Sequence, residues 1–538
     1  MNVKLKDIFV IIFVIIVVIS FFIRGNKIIT YISATYDEPL HLMQGYSYIK
    51  TGSMHIIRSY DQPVLAKIIA GLGLLFLKPQ PAVFTSHKFY LEKQRYSFAN
   101  LMLYYNNHDA EVLINAGRRS IIFFSSLFVI IFFVIVKNTV GIISAIFAII
   151  FYSVNTSIIA HSCLTTQDMF ACIFYFLSIY SFYKFLEKNR IKDLIICSIF
   201  SALLMVTKYS YVVLFTNYLV VLLFFLYFKK VSLKTIFKFL LFQLVTIISV
   251  GLIVYNKNFI ELFIGLYDVV AITSKYGRSN YFFGKHSTSG FILYFPFLFL
   301  LKTEIPLLIL FFVSLIKFFK EFIDKNSSIQ DIIIISSILI YLGIASFSKM
   351  QIGHRHILVV YPLIILQVSK LINIKKLRLF CLLMLLWNVY ISIKVFPWYI
   401  SYFNEIIGGA KNGWKYFTDS NIDWGQGLKQ LGLWVRKNNF AQKGIYLSYF
   451  GVGDPEYYNI KYKPIGFISN LTNNERLGEN IVKNNYERVI IGVSVTNLQA
   501  TYYQDKTIFN FLKKLRPLVE IADSIFIYDI SEEKFALN

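Results

Sequence analysis

The chain has few charged residues, few acidic residues and few cysteines. Only 16% of its 538 residues are Asp, Glu, Lys or Arg, whereas 56% are hydrophobic. A soluble globular protein carries about a quarter charged residues, so this composition excludes a soluble multidomain protein. The four cysteines lie in or beside apolar runs and form no CxxC pair, which argues against a disulfide framework and against a thiolate metal site.

Nucleotide-binding motifs are also missing. The sequence contains no GxxxxGK[ST], and no apparent strand is followed by GxGxxG. Any activated donor would therefore have to arrive already bound to the membrane. The net charge of +24 is not concentrated in a basic soluble domain, and much of it lies in short loops between apolar runs. We therefore expect no nucleic-acid partner.

What the sequence does have is a series of long apolar runs, which predict a polytopic α-helical membrane protein embedded in a lipid bilayer. We expect about eleven transmembrane helices, although several runs are shorter than the ~20 residues of a full crossing. The first run follows Lys4 and Lys6 and lacks a signal-peptidase site, so it is predicted to be a retained signal anchor. The predicted spans are 8–23, 121–136, 140–160, 169–186, 194–206, 211–228, 237–255, 291–319, 332–347, 357–371 and 379–395.

The loop charges predict the orientation. Every short loop that this count places in the cytoplasm is basic, as the positive-inside rule requires, and the N-terminus is then cytoplasmic. An odd number of crossings leaves the C-terminus outside. We predict a transmembrane catalytic module over 1–396, whose first extracytoplasmic loop is 25–119, and an extracytoplasmic α/β domain over 397–538. Within the loop, 64–77 and 84–105 are predicted to form interfacial helices.

An acidic motif follows the first apolar run. Residues 34–41 read ATYDEPLH and place two adjacent carboxylates, Asp37 and Glu38, with His41 at a membrane surface. Ionisable groups are costly near hydrocarbon unless they react or meet a partner, so we expect a reactive centre here. The alternative is that the two carboxylates cap an interfacial helix.

Further charged side chains are predicted at the same, outer face. Cations there would hold a phosphate, and a carboxylate would take a proton from an attacking hydroxyl. Simpler alternatives are an N-cap role for Asp168, a membrane anchor in the arginine pair, and snorkelling of the two lysines to lipid headgroups. The residues concerned are Arg118, Arg119, Asp168, Lys208, Lys302, Arg355 and His356.

Several of these segments resemble a known family. The motifs YDEPLHLMQGYSYIKTG, AHSCLTTQDMFA, TKYS, IGHRHILVVYP and DSNIDWGQ, the last at 419–426, are similar to those of GT-C glycosyltransferases of the family 39 type. That family includes protein O-mannosyltransferases and lipid A aminoarabinose transferases, which use polyprenyl-phosphate sugars. The segment YDQPVLAK departs from the family's HPPLAK at Gln62 and Val64, and Gln167 replaces a common Thr.

The resemblance implies a role for each matching residue. Asp37 would be the general base for the acceptor hydroxyl in a single inverting displacement, Glu38 would tune or orient it, and Asp168 would order the acceptor pocket. His41 would contact substrate. The resemblance offers the remaining cations as ligands of the lipid phosphate: Arg118 or Arg119, Lys208, Lys302, Arg355 and His356.

We therefore expect an enzyme that moves a sugar from a polyprenyl-phosphate donor to a hydroxyl-bearing acceptor outside the cytoplasmic membrane. A transporter or flippase for a lipid-linked or anionic substrate is the main alternative, because charges among spans also mark permeation paths. A non-catalytic receptor or assembly factor is a third. We expect no cofactor and no metal site, because DExxH lacks a second ligand cluster; a divalent cation at Asp37 and His41 is the alternative left open.

Overall fold

The computed structural model describes residues 3–52, 62–79, 95–440, 443–465 and 489–530. A bundle of apolar helices makes up most of the chain, and a mixed sheet follows it. In the first half the helices are α1 (Val3–Ile28), α2 (Glu38–Thr51), α3 (Leu65–Leu72), α4 (Arg95–Tyr104), α5 (Ala110–Thr139), α6 (Ile142–Val154), α7 (Thr156–Ser162), α8 (Asp168–Lys188), α9 (Ile191–Met205), α10 (Tyr211–Tyr227), α11 (Leu233–Tyr255) and α12 (Ile260–Tyr276).

The second half contains the remaining helices and all the strands. A short hairpin of β1 (Asn280–Phe282) and β2 (Lys285–Ser287) precedes α13 (Tyr294–Lys302), α14 (Ile305–Ile323), α15 (Ile329–Ser346), α16 (Tyr361–Ser369) and α17 (Arg378–Val395). After these come α18 (Ala410–Gly413), α19 (Leu428–Lys437), β3 (Ile445–Ser448), β4 (Tyr462–Pro464), β5 (Val489–Ser494), α20 (Val495–Leu498), α21 (Asn510–Lys513), β6 (Val519–Ile521) and β7 (Ile525–Ile530).

Seven helices in the described part of the chain are long and apolar enough to cross a membrane, and two bent helix pairs raise the number to nine. The predicted multi-pass helical membrane protein is therefore confirmed. Nine of the eleven predicted spans thus correspond to helices or bent helix pairs that are long and apolar enough to cross. The other two predicted spans correspond to α9 and α10, which have 15 and 17 residues and fall short of the ~20 that a full crossing needs.

Two spans predicted to be continuous are in fact broken. The helix over 140–160 bends by 62° between α6 and α7, and that over 291–319 bends by 117° between α13 and α14. The breaks meet at the Glu304 carboxylate, which accepts hydrogen bonds from the Asn155 side chain at 2.8 Å and from the Thr156 backbone. Backbone freed by a break inside a helical bundle needs such polar partners. Sequence periodicity does not reveal this because both halves of each span are apolar.

The first loop folds into α2, α3 and α4. Helices α3 and α4 coincide with the two predicted interfacial helices, except that 84–94 lie outside the described residues. Helix α2 crosses α3 at very short range: a Cβ on Gly45 would lie 1.7 Å from the Lys67 carbonyl oxygen. Glycine is therefore required at this crossing, which fixes the start of α2 and with it Asp37 and Glu38.

The C-terminal region forms a five-stranded sheet in the order β4-β3-β5-β7-β6. Strands β4, β3 and β5 are parallel neighbours, and β7 runs antiparallel to both β5 and β6. Side chains of β7 alternate: Phe526 and Tyr528 pack towards the membrane helices, while Ile525 and Ile527 pack with α19. This agrees with the predicted α/β character of the region. The domain boundary at 396–397 stays a prediction.

The predicted orientation can be tested by cysteine labelling, because all four native cysteines are buried and give little background. We expect Leu433→Cys, on an exposed position of α19, to react with a membrane-impermeant maleimide in intact spheroplasts. Lys325→Cys, in the exposed loop between α14 and α15, should react only after permeabilisation. The reverse pattern would invert the topology.

Candidate active site

Four predicted residues meet in one group, which we call the Asp37 cluster: Asp37, Asp168, Lys208 and Arg355. The Arg355 Nη1 atom lies 3.2 Å from Asp37 Oδ2 and 3.7 Å from Asp168 Oδ2. The Lys208 ammonium lies 2.6 Å from Asp168 Oδ1. The cluster therefore contains two carboxylates and two cations, with Arg355 joining the halves.

Each member of the cluster sits at the end of a helical element. Asp37 precedes α2, Asp168 opens α8, and Lys208 follows α9. Arg355 lies in the 3₁₀ segment His354–Val360 that leads into α16. Side chains from four separate elements thus converge where helices begin and end, and Lys208 is buried against Asp168 instead of extending to headgroups.

Asp37 is the accessible carboxylate of the cluster. Its side chain is 18% exposed, compared with 1% for Asp168. Asp37 occupies the N-cap position of α2, but its side chain makes no capping hydrogen bond. It faces Arg355 instead, and the Tyr96 hydroxyl lies 3.5 Å from its Oδ1 atom. The capping alternative therefore does not describe Asp37.

Arg355 also packs against the ring of Trp424, a residue that was not predicted individually. Its guanidinium carbon lies 4.3 Å from the centroid of the Trp424 ring, in cation–π contact. Trp424 belongs to the conspicuous motif 419–426, and the indole is 2% exposed. The only indication in the sequence was that Trp424 lies in one of the motifs that resemble the family.

Residues 419–426, which we call the strap, form a buried segment. The strap hydrogen-bonds to the first acidic motif at Tyr36 and to the segment around Gly353. On one side the Tyr36 backbone N–H donates to the Trp424 carbonyl at 2.9 Å. On the other side Ser420 Oγ donates to the Ile352 carbonyl, and the His354 N–H donates to Asn421 Oδ1. The approach is so close that a Cβ on Gly353 would lie 2.0 Å from Ser420 Oγ. The strap therefore fixes Arg355 relative to Asp37.

Glu38, next to Asp37, has a different environment. It is fully buried, and its carboxylate accepts from Arg118 Nε at 2.9 Å, Arg118 Nη2 at 2.5 Å, the Thr35 N–H and the Thr165 N–H. Burial alone would raise the pKa of Glu38, but the Arg118 charge and these hydrogen bonds outweigh it and lower that pKa. The Glu38 carboxylate is therefore occupied by protein donors, in contrast to the accessible carboxylate of Asp37.

Arg118 was predicted as a phosphate ligand, and the structure places it elsewhere. Besides Glu38, its guanidinium donates to the carbonyl oxygens of Ile32 and Ser33 and to Asn115 Oδ1. These bonds use all five N–H donors of an arginine, and none is left for a phosphate. Its neighbour Arg119 is exposed on α5 and lies outside the Asp37 cluster.

Three other residues were predicted to bind substrate. Lys302 and His41 contact protein groups instead, and His356 has a buried ring nitrogen. Lys302 Nζ is buried and donates to the carbonyls of Ile400 and Asn421, which contradicts both a phosphate contact and snorkelling. His41 is buried, with Nδ1 3.3 Å from the Thr165 carbonyl and Nε2 3.1 Å from Gln167 Nε2. His356 Nε2 is buried and has no hydrogen-bond partner among the described residues.

Within the described ranges, no group of three or more His, Cys, Asp or Glu side chains could hold a metal ion. Asp37 and His41 do not share a site, because His41 is occupied by Thr165 and Gln167. That the protein needs no metal stays a prediction.

With the geometry established, the chain can be compared with known proteins. Residues 111–255 match the model of the dolichyl-phosphate-mannose-protein mannosyltransferase family. This match confirms the predicted resemblance to glycosyltransferases of the protein O-mannosyltransferase type. It covers roughly a quarter of the chain and includes Asp168 and Lys208, but not Asp37 or Arg355. A comparison with curated protein sequences gives no match.

Solved structures give similarity over longer stretches. ArnT from Cupriavidus metallidurans bound to undecaprenyl phosphate has a TM-score of 0.49 at 11% identity, over 97% of this chain and 98% of that chain. The Archaeoglobus fulgidus oligosaccharyltransferase in the apo form has a TM-score of 0.49 at 8% identity, over 92% and 72%. The S. cerevisiae Pmt1-Pmt2 complex bound to the sugar donor has 0.33 at 17%, over 52% and 40%.

A buried carboxylate in the strap, that of Asp423, also has a shifted pKa. Asp423 is fully buried, and its Oδ2 accepts from the Thr496 N–H at 3.1 Å. Burial raises the pKa of Asp423 to about 7, although the Thr496 hydrogen bonds oppose the shift. The strap is thereby joined to α20 of the sheet domain by a carboxyl that titrates near neutral pH.

Asp423 predicts a pH dependence of stability. In the unfolded chain its pKa is about 3.9, so between pH ~4 and ~7 the folded protein binds a proton that the unfolded chain does not. This contribution to stability is therefore lost as pH rises through about 7. We expect Asp423→Asn to remove it, so that the variant gains Tm relative to wild type between about pH 5 and about pH 8. Exposed Glu405→Gln should parallel wild type; the same result for Asp423→Asn would contradict the assignment.

The Glu38–Arg118 pair predicts a large loss of stability on neutralisation. Glu38→Gln leaves a buried guanidinium without its counter-charge, which typically costs about 3–5 kcal/mol. Glu187→Gln, in the partly exposed pair with Lys184, should cost no more than ~1 kcal/mol. Thermal unfolding of the purified protein in lipid nanodiscs measures both. Equal Tm values for the two variants would contradict the buried pairing of Glu38 with Arg118.

Proposed function

We propose that this protein transfers a glycosyl group from a polyprenyl-phosphate-linked donor to a hydroxyl-bearing acceptor at the outer face of the cytoplasmic membrane. The observation that carries the proposal is the Arg355 guanidinium, which links the accessible carboxylate of Asp37 to the buried Asp168–Lys208 pair. The family match over 111–255, which contains Asp168 and Lys208, supports the same class of reaction.

Asp37 is the proposed general base. It is the exposed carboxylate of the cluster, and an acceptor hydroxyl next to its Oδ atoms can pass its proton to the carboxylate as the oxygen attacks the anomeric carbon. The new bond joins the acceptor oxygen to that carbon, and the bond from the carbon to the phosphate oxygen breaks. Attack opposite to the leaving group inverts the anomeric configuration.

Arg355 and Lys208 are the proposed partners of the phosphate. The departing polyprenyl phosphate gains negative charge as the glycosidic bond breaks, and fixed cations in a water-poor site stabilise it. The two steps are electrostatically linked through Arg355. When Asp37 takes up the acceptor proton it becomes neutral, so Arg355 loses one counter-charge as the charge on the phosphate grows.

Asp168 is a positioning residue in this scheme. Its carboxylate is 1% exposed and binds Lys208 at 2.6 Å, which leaves it unable to contact an acceptor directly. It holds Lys208 and Arg355 on one side of Asp37. This differs from the acceptor-ordering role that the family resemblance implied. All four charged groups of the cluster lie at helix ends, whereas the transporter alternative expects charges at mid-span.

The role of Asp37 can be tested in cells. A strain that lacks the protein should accumulate a polyprenyl-phosphate sugar, and mass spectrometry of its lipid extract measures this donor. We expect wild type to restore turnover and Asp37→Asn to reduce it by a factor of about 10²–10⁴, the usual contribution of a general base. Protein amount and Tm should be unchanged, because Asp37 is partly exposed.

Glu111→Gln is the matched control. Glu111 lies at the start of α5, is partly exposed, and pairs with Lys429 at 2.6 Å outside the Asp37 cluster. Its neutralisation should leave donor turnover intact. Normal turnover by Asp37→Asn would remove Asp37 from the base role, and the absence of any accumulated lipid-linked sugar would contradict the proposed reaction.

A further inference from the structure

A large cavity lies between the sheet domain and the first loop. Its volume is about 700 Å³, within the range of small-molecule sites. The C-terminal end of β3 and the segment after it form one wall, Tyr36 and residues of α4 form another, and Arg278 and Tyr502 complete it. We call it the Tyr502 cavity. Nothing in the proposed reaction so far uses it.

The Tyr502 cavity reaches the Asp37 cluster. Tyr96 lines the cavity, and its hydroxyl lies 3.5 Å from Asp37 Oδ1. Tyr36, also in the lining, is the residue before Asp37. A molecule that fills the cavity therefore ends beside the proposed general base, on the sheet-domain side.

The lining is aromatic and hydroxyl-rich but carries little charge. Phe450 stacks between Tyr36 and Tyr502, with ring centroids 5.4 and 5.6 Å away. Asn497 donates to Ser448 Oγ, which is 3.1 Å from the Tyr503 hydroxyl, so amide and hydroxyl groups form a polar row along one wall.

Among the described lining residues Arg278 is the one charged side chain. Its guanidinium lies 5.3 Å from the Tyr502 ring centroid, and the Tyr502 hydroxyl in turn donates to Asp419 Oδ2. Tyr502 has the largest effect on the pKa of Arg278 and raises it, and the Asp419 and Asp37 carboxylates raise it further. The one cation of the described lining therefore lies beside the Tyr502 ring, and Asp419 lies behind that ring.

These properties fit an oligosaccharide. A pyranose ring has apolar C–H faces, which pack on the negative faces and flat surfaces of aromatic rings, and a rim of hydroxyls, which need hydroxyl and amide partners. An extended peptide that joined the sheet as an additional strand would need a free strand edge. Strand β3, which lines the cavity, is paired on both sides, and Pro464 of the neighbouring β4 has no N–H to offer.

We infer that the Tyr502 cavity binds the acceptor, and that the acceptor is a glycan chain whose terminal hydroxyl is presented to Asp37. The inference rests on the proposed glycosyl transfer for its function, but the binding it predicts is independent of the donor. The sheet domain is then part of the substrate site, because β3, Asn497 and Tyr502 supply its walls.

Binding can be measured on the full-length protein in lipid nanodiscs, which avoids glycosidic detergents. The probes are mannotetraose, maltotetraose and chitotetraose, observed by saturation-transfer difference NMR, with a Ser/Thr-rich hexapeptide alongside. We expect at least one tetrasaccharide to bind and the hexapeptide not to bind. Tyr502→Ala and Asn497→Ala should each weaken binding by about tenfold, the effect of losing one ring contact or hydrogen bond.

Two variants make the test specific. Tyr502→Phe keeps the ring and should retain more affinity than Tyr502→Ala. Tyr446→Ala removes a tyrosine from β3 that does not line the cavity, and it should bind as wild type. Binding of none of the sugars, equal losses in Tyr446→Ala, or hexapeptide binding that depends on Tyr502 would each overturn the inference. Donor turnover that depends on Asp37 would meanwhile still support the proposed function, so the two can fail separately.

Discussion

A guanidinium between two carboxylates is a strong interaction only if all three groups are held in place, and the Asp37 cluster shows how many parts of the fold serve that end. Arg355 meets Asp37 and Asp168 on one side and the Trp424 ring on the other. Trp424 is fixed by the buried strap 419–426, which bonds to the first loop and to the backbone beside Gly353. The position of one cation therefore depends on three segments that are far apart in sequence.

The remaining buried charges of this region hold backbone segments together. Glu38 and Arg118 satisfy each other and also bind the backbone of residues 32, 33, 35 and 165. Lys302 binds two carbonyls of the segment that leads to the sheet domain. Removing a charge from such a network leaves several polar groups buried without partners, so these residues matter for folding even though none contacts the site.

The sequence was sufficient to predict the class of fold and the central residues of the site, because apolar runs and acidic motifs are local patterns. It predicted Asp37, Asp168, Lys208 and Arg355, which do meet. It did not separate them from Arg118, Lys302 and His41, because the same residue types at helix ends serve both chemistry and packing, and only three-dimensional partners distinguish the two. Trp424 was missed as an individual residue for the same reason: its importance lies in a contact across the chain.

The junction of the two broken spans has a mechanical consequence. The Glu304 carboxylate lies just before α14 and accepts hydrogen bonds from Asn155 and Thr156 at the start of α7, so the two bends are hydrogen-bonded to each other. A displacement of α14 away from its neighbours would have to move α7 as well, or break the hydrogen bonds of Glu304. The two bent spans are therefore coupled through the hydrogen bonds of a single acidic side chain.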